Sequence, residues 1–264
     1  MDSATNDLTW PVHEDYRVAD GVLQPVGDET RTYDPLAHQE VISEYAKLNE
    51  GDEAAVVQFA RTWGLLGWKE LTIEAMVSPV NGDRLPWLWG HARNVRLVLR
   101  LYHYLQKSDT KGLSQFLDSH RAPSLNPDEE DGPLISIELP DGLQGQQRFS
   151  WGEPATRVAP WVAEEIIAAV INNNLQGRTH DTVLTRPLRL IPDCPALLIA
   201  VYQHLARVVA EDRVLARCQE CSALFVVTDR RQKYCPPSPD WKGRTGSLCG
   251  ARDRKRRQRR TEGG

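Results

Sequence analysis

The sequence predicts a fold that is mainly α with minor β, in which a helical body is followed by a small cysteine-built module at the C-terminal end. Three observations predict it. Between residues 34 and 209 apolar side chains recur mostly at helical spacing. Only short segments alternate as strands do. Four of the five cysteines lie between residues 218 and 249. A chain of 264 residues has room for one large domain plus a small module. We therefore divide it into a mainly helical domain over 1–211 and a module over 212–264.

Taken in order, residues up to about 33 read as irregular, because Pro11, Gly21, Pro25 and Gly27 interrupt any period. Only Val18–Leu23 suits a short hairpin edge. Asp34 suits an N-cap with Pro35 at the first helical position, and Leu36, Val41, Ile42, Tyr45 and Leu48 follow at helical spacing, so a helix is expected from 34. A second helix is expected over 52–63, with Val56, Val57, Phe59 and Ala60 inward, ending at the Gly64-Leu65-Leu66-Gly67 turn. A long helix over 85–106 carries the stripe Leu88, His91, Val95, Val98, Leu99, Tyr102 and Leu105. Ser108-Asp109 suits the cap of a short helix through Phe116 and Leu117.

Residues 122–133, dominated by Pro, Gly and acids, read as an exposed loop. Leu134–Leu139 alternates as a strand, with Arg148–Trp151 as its candidate partner. An apolar helix is expected over 160–175, then a strand or extended linker over 183–190. A last body helix opens near Asp193-Cys194-Pro195 and runs to about Val209.

The net charge of -4 conceals an asymmetry. Residues 213–264 hold 14 Lys and Arg against 5 Asp and Glu, which leaves 18 basic and 31 acidic residues in 1–212. An acidic body with a basic end points to a polyanion partner for that end, unless the basic run is a solvated tail. The N-terminal MDSATNDLTW has no apolar core of a signal peptide. No apolar run approaches the ~18 residues of a membrane span. We expect a cytoplasmic, nucleoid-associated protein with no membrane partner.

An intracellular chain keeps its thiols reduced, so clustered cysteines point to metal rather than disulfides. Cys218 and Cys221 form a Cys-x2-Cys knuckle whose thiolates converge on one centre, and Cys235 and Cys249 follow singly. Four thiolates complete a tetrahedron around one structural Zn2+ at Zn–S of ~2.3 Å. That closed set has no open position, which argues against catalysis at the metal. In so small a module, metal binding should supply much of the folding free energy. The β-prone run Ala223–Val227 followed by polar Thr228–Arg231 predicts a hairpin between the knuckle and the third ligand, with Leu224, Phe225 and Tyr234 as a small core. Beyond Cys249 no proline interrupts the chain. A helix is expected to begin there, where the helix N-terminus favours a thiolate.

These residues resemble the CGNR-type zinc finger, a treble-clef-like module at the C-terminus of ABATE-like bacterial proteins described as stress-induced transcription regulators. The family's naming tetrapeptide stands here as Cys249-Gly250-Ala251-Arg252, a match at three of four positions, and Arg217-Cys218 and Tyr234-Cys235 also fit. The chain departs from the pattern by inserting Pro236–Leu248 between the third and fourth cysteines, where the family has only a few residues. Over the body the likeness is confined to Tyr33–Leu36 and Trp63–Gly67. The resemblance implies a treble-clef-like zinc finger, DNA binding and a role in transcription regulation. The residues alone argue only for polyanion binding.

Seven of the nine residues from Arg252 to Arg260 are basic. On a helix, Arg252, Lys255, Arg256 and Arg259 share one face, and Arg254, Arg257 and Arg260 lie alongside. Charge this dense is relieved by phosphates, so nucleic acid, double-stranded DNA first, is the expected partner. Arg230, Arg231 and Lys233 at the hairpin tip add contacts. RNA binding through the same module is one alternative. An enzyme with its site in the helical body and the zinc finger as a tether is another.

We expect no enzyme, because His180-Asp181 has no visible nucleophile partner and Cys194 no histidine placed beside it. His91 reads as a buried, hydrogen-bonded histidine and His204 as partly exposed in mid-helix. Glu164-Glu165 read as acids opening a helix. Trp63, Trp68, Trp87 and Trp89 read as core, with a pocket for a small-molecule effector as the alternative. The sequence is also compatible with a homodimer.

Overall fold

The N-terminal segment is a long hairpin rather than irregular chain. In the computed structural model, which describes residues 9–67, 82–122, 132–139, 144–149, 155–175, 182–185, 189–192, 196–237 and 247–262, β1 (Trp10–Ala19) and β2 (Val22–Tyr33) pair antiparallel around Asp20-Gly21. Both turn residues have positive φ, 51° and 72°. That is the two-residue turn whose twist matches that of its strands, and Asp-Gly is among its preferred sequences. Pro11 lies on the edge strand and Pro25 lies past the two-residue β3 (Asp83–Arg84), positions at which sheets tolerate proline. Trp68, the loop at 123–131, Trp151, His180-Asp181, Cys194 and residues 238–246 of the insertion lie outside the described residues.

The helix expected from residue 34 is divided. Asp34 caps only a 3-10 turn, Pro35–Ala37, accepting from the Leu36 N–H at 2.8 Å. The backbone of His38, at φ -122° and ψ 76°, then leaves helical geometry. A short α1 (Val41–Tyr45) follows and buries Val41, Ile42 and Tyr45. α2 (Glu53–Trp63) matches expectation, with Asp52 accepting from the Ala55 N–H at 2.9 Å. It packs against β1 and stops at Gly64, where φ is 84°. A side chain at Gly64 would meet the Pro11 carbonyl at 2.5 Å, and one at Gly67 would meet the Trp10 ring at 2.1 Å. The two glycines thus let the hairpin close onto this turn, where Trp10 Nε1 donates to Leu65 O at 2.8 Å.

α3 (Leu85–Gln106) has the expected bounds and buries Leu88, His91, Val95, Val98, Leu99 and Tyr102. α4 (Thr110–Asp118) is capped by Asp109, which accepts from the Gly112 N–H at 2.8 Å. A small sheet follows in the order β4 (Arg121–Ala122), β5 (Gly132–Glu138), β6 (Gln144–Arg148). The partner of β5 lies just upstream of the expected 148–151, with Leu134 opposite Arg148 and Glu138 opposite Gln144. α5 (Ala155–Leu175) starts ahead of Pro160, which sits inside it. Glu164 and Glu165 are therefore exposed mid-helix residues and do not open the helix. The stretch read as strand or linker is a hairpin of β7 (Thr182–Thr185) and β8 (Arg189–Pro192), and α6 (Leu197–Ala210) ends the body.

α3 is the hub, touching α4, α5, α6 and β5. Trp63 and Trp87 are buried in this core, and Trp89 packs against it. At its centre sits a polar set. His91 Nδ1 and the Tyr202 hydroxyl are 2.9 Å apart, and Asn94 donates to the Glu138 carbonyl at 2.8 Å while accepting from the Glu138 N–H at 3.1 Å. Asn94 thereby satisfies the end of β5 inside an apolar interior, where an unmade bond would cost about 1–3 kcal/mol.

His204 is not partly exposed. It is 3% exposed, with Nε2 at 3.0 Å from the Pro35 carbonyl, because α6 carries it under the 3-10 turn. Burial lowers its pKa against the opposing effect of that carbonyl, so the ring stays neutral in the fold. The unfolded chain takes up this proton first, near pH 6.5. His204 therefore leaves stability intact above that pH and reduces it as the pH falls below. His204→Gln is expected to flatten this acid slope, read as the change in urea midpoint between about pH 7 and about pH 5.

Candidate metal centre

The hairpin expected after the knuckle instead encloses it. β9 (Leu215–Arg217) and β10 (Leu224–Val226) pair antiparallel, with Arg217 opposite Leu224 and Leu215 opposite Val226. Residues 218–223, carrying Cys218 and Cys221, form the connection. It closes through the Cys218 N–H to Ala223 O at 2.9 Å and the Ser222 N–H to Cys218 O at 3.0 Å. The polar stretch after Val227 has no apolar face to offer β10, whereas Leu215 supplies one upstream.

Strand alternation then sorts the side chains. Phe225 is fully buried among Cys218, Cys235 and Cys249, with Tyr234 packed alongside. Leu224 and Val226 face the other way and join Leu215 in the body's core. Leu224 thus leaves the small core expected for it. The same face is tied to α3, because Gln106 donates to Arg213 O at 2.8 Å and accepts from the Leu215 N–H at 2.9 Å. The Tyr102 hydroxyl donates to Asp212 at 2.8 Å.

The structure brings all four expected cysteines together. Their sulfurs lie within 4.8 Å of one another, and those of Cys221 and Cys235 are 3.5 Å apart. A tetrahedron with ~2.3 Å bonds has sulfur–sulfur edges of ~3.8 Å, so the donors fit one metal ion, and four thiolates suit zinc. Cys218, Cys235 and Cys249 are buried and Cys221 is exposed. Burial raises the Cys218 thiol, but the N–H groups of Cys221, Glu220 and Cys235 aimed at it prevail and hold it at about 7. Burial pushes Cys235 up, and pushes Cys249 up to about 12. A divalent ion would remove those protons outright.

Four thiolates on a divalent cation leave a net charge of about -2. Lys47 lies within electrostatic reach of two of the sulfurs. Burial opposes its ammonium, yet Glu44, bonded at 2.6 Å, and the sulfurs of Cys235 and Cys221 raise its pKa above the usual lysine value. Sequence reasoning missed Lys47, since nothing local links it to cysteines so far along the chain.

α7 (Leu248–Glu262) carries Cys249 in its first turn. Its buried Asp253 accepts from the Tyr234 hydroxyl at 2.7 Å, and that bond, followed by Arg256, holds its carboxyl below the ordinary range. Past Asp253 the described side chains of α7, Arg254 to Thr261, are all exposed. The cations are not equivalent. Arg256 donates to Glu220 at 2.6 Å and to Asp253 at 3.0 Å, and Arg257 pairs with Asp253 at 2.8 Å. Arg252, Arg254, Lys255, Arg259 and Arg260 are exposed, as are Arg230, Arg231 and Lys233 on the 228–233 turn. An open groove of about 580 Å³ at the end of α3 adds Lys107 and Arg217 beside Arg230, two further cations that sequence reasoning did not place there.

Among the described residues no helix is long and apolar enough to cross a membrane. No family model matches the chain, and no curated protein or solved structure matches it either.

Proposed function

We propose that this chain is a zinc-dependent DNA-binding protein acting as a bacterial transcription regulator, built as a helical body with a treble-clef-like, CGNR-type finger. The observation that carries the reading is the exposure of α7, anchored by its first turn and presenting Arg254, Lys255, Arg259 and Arg260 to solvent. The metal would hold the knuckle hairpin and this helix in fixed relation, and the guanidinium groups would dock on phosphates. Knuckle, hairpin and a helix carrying the last ligand support the treble-clef assignment. Duplex DNA as target and regulation as role rest on the family resemblance, which also sets the protein at the nucleoid.

The test is competition between labelled DNA and RNA duplexes at matched salt. DNA is expected to bind tighter, with log K falling by about 5 per decade of salt if about six phosphates are neutralised. Tighter RNA binding would transfer the module to RNA. Failure to bind either duplex at ~50 mM salt would end the proposal.

A further inference from the structure

A cleft of about 460 Å³ runs between α3, α4, β5 and the knuckle hairpin. Arg93, Arg96, Arg100 and Arg217 line it, together with apolar side chains that include Phe116 and Leu224, and among the described residues none that lines it is acidic. Three of the four, Arg93, Arg96 and Arg100, come from a body that holds 18 basic against 31 acidic residues, and Arg217 comes from the knuckle hairpin. Like charges gathered along one cleft repel one another unless an anion offsets them.

The arginines are oriented rather than loose. Arg96 donates to the carbonyls of Ala46, at 3.2 Å, and Leu48. Arg217 donates to Ser222 O at 3.3 Å. Arg100 lies over the Phe116 ring, 4.9 Å from its centre, and Arg93 has the Glu138 carboxylate at 3.9 Å. A guanidinium has five N–H donors, so each of these anchors leaves donors for a ligand. The volume suits one small molecule, and a site between two structural units is a common place for one.

We propose that this cleft binds an organic carboxylate with a flat apolar body. Arg100 and Arg217 take the carboxylate through paired N–H donors, and Phe116 and Leu224 take the apolar part. Because Arg217 and Leu224 belong to the knuckle hairpin, an occupant would touch body and metal module at once. The inference is independent of what α7 binds.

Calorimetric titration of the full, zinc-loaded chain with 2-naphthoate, decanoate and the neutral 2-naphthamide tests it. At least one carboxylate is expected to bind with a Kd of about 0.1 mM, and the amide about tenfold more weakly or worse. Arg100→Gln is expected to weaken carboxylate binding about tenfold and leave amide binding unchanged. Arg100 is exposed on α3, so its replacement leaves the core intact. Arg217→Gln should behave alike, with zinc content checked because Cys218 adjoins it. The proposal is overturned if neither carboxylate binds tighter than about 5 mM, if the amide binds as tightly, or if Arg100→Gln changes nothing.

Discussion

Cys221→Ser is expected to drop bound zinc from about one equivalent to well under half of one, and to release α7 while the body stays folded. The physical case is the division of labour around the knuckle. β9 and β10 are held by the body through Leu215, Val226 and the two bonds of Gln106. Among the described residues the chain from Lys233 onward has fewer ties to the body, with Pro236 beside Ile42 and Leu99. Its other apolar contacts are Phe225, Tyr234 and the cysteines themselves, and structural zinc sites supply on the order of 10 kcal/mol. Chelation of the wild type should act as the substitution does, with helix signal lost in proportion to α7 and the amides of 248–262 losing exchange protection. Metal analysis and hydrogen exchange on both proteins read this directly. Wild type with less than about half an equivalent of zinc, or a variant that retains it, would remove the centre from the account.

Converting Arg254, Lys255, Arg259 and Arg260 to Gln together is expected to weaken DNA binding on the order of a thousandfold at ~50 mM salt and to cut the salt slope by roughly three to four. These four are exposed and have no ion-pair partner among the described residues, so each is available to a phosphate. Arg256 differs, since Glu220 and Asp253 already neutralise much of its charge. Arg256→Gln should therefore reduce the slope by well under the ~0.9 expected of a full phosphate contact. Asp253→Asn should do the opposite for Arg256 and Arg257, at the cost of a looser helix base. Fluorescence anisotropy across a salt series separates the cases. Equal slopes for Arg256→Gln and Arg259→Gln would mean that the crowding of cations around Asp253 does not govern which of them meet phosphate.

Legibility tracked how local the information was. The bounds of α3 were readable because a stripe from Leu88 to Leu105 repeats one period, and those of α2 because Asp52 and Gly64 mark its ends. The N-terminal hairpin was legible only as a short edge over Val18–Leu23, around the turn-favouring Asp20-Gly21, because Pro11, Pro25 and Gly27 counted as breakers of the longer strands. His204 was misjudged because its cover, the Pro35 turn, lies 169 residues away. Leu224 was assigned to the wrong core for a related reason, since a strand of three residues does not state which of its two faces will meet a neighbour.

By itself the sequence determined which four cysteines would gather and where the arginine-rich helix would run, since a Cys-x2-Cys spacing and a dense basic run impose their chemistry within a few residues. Tertiary structure alone decided that the knuckle lies inside the hairpin turn, that Lys47 comes within electrostatic reach of Cys221 and Cys235, and that four arginines from α3 and β9 line one cleft. Those outcomes depend on burial and charge compensation between segments far apart in the chain, and such terms have no value until packing brings the segments together.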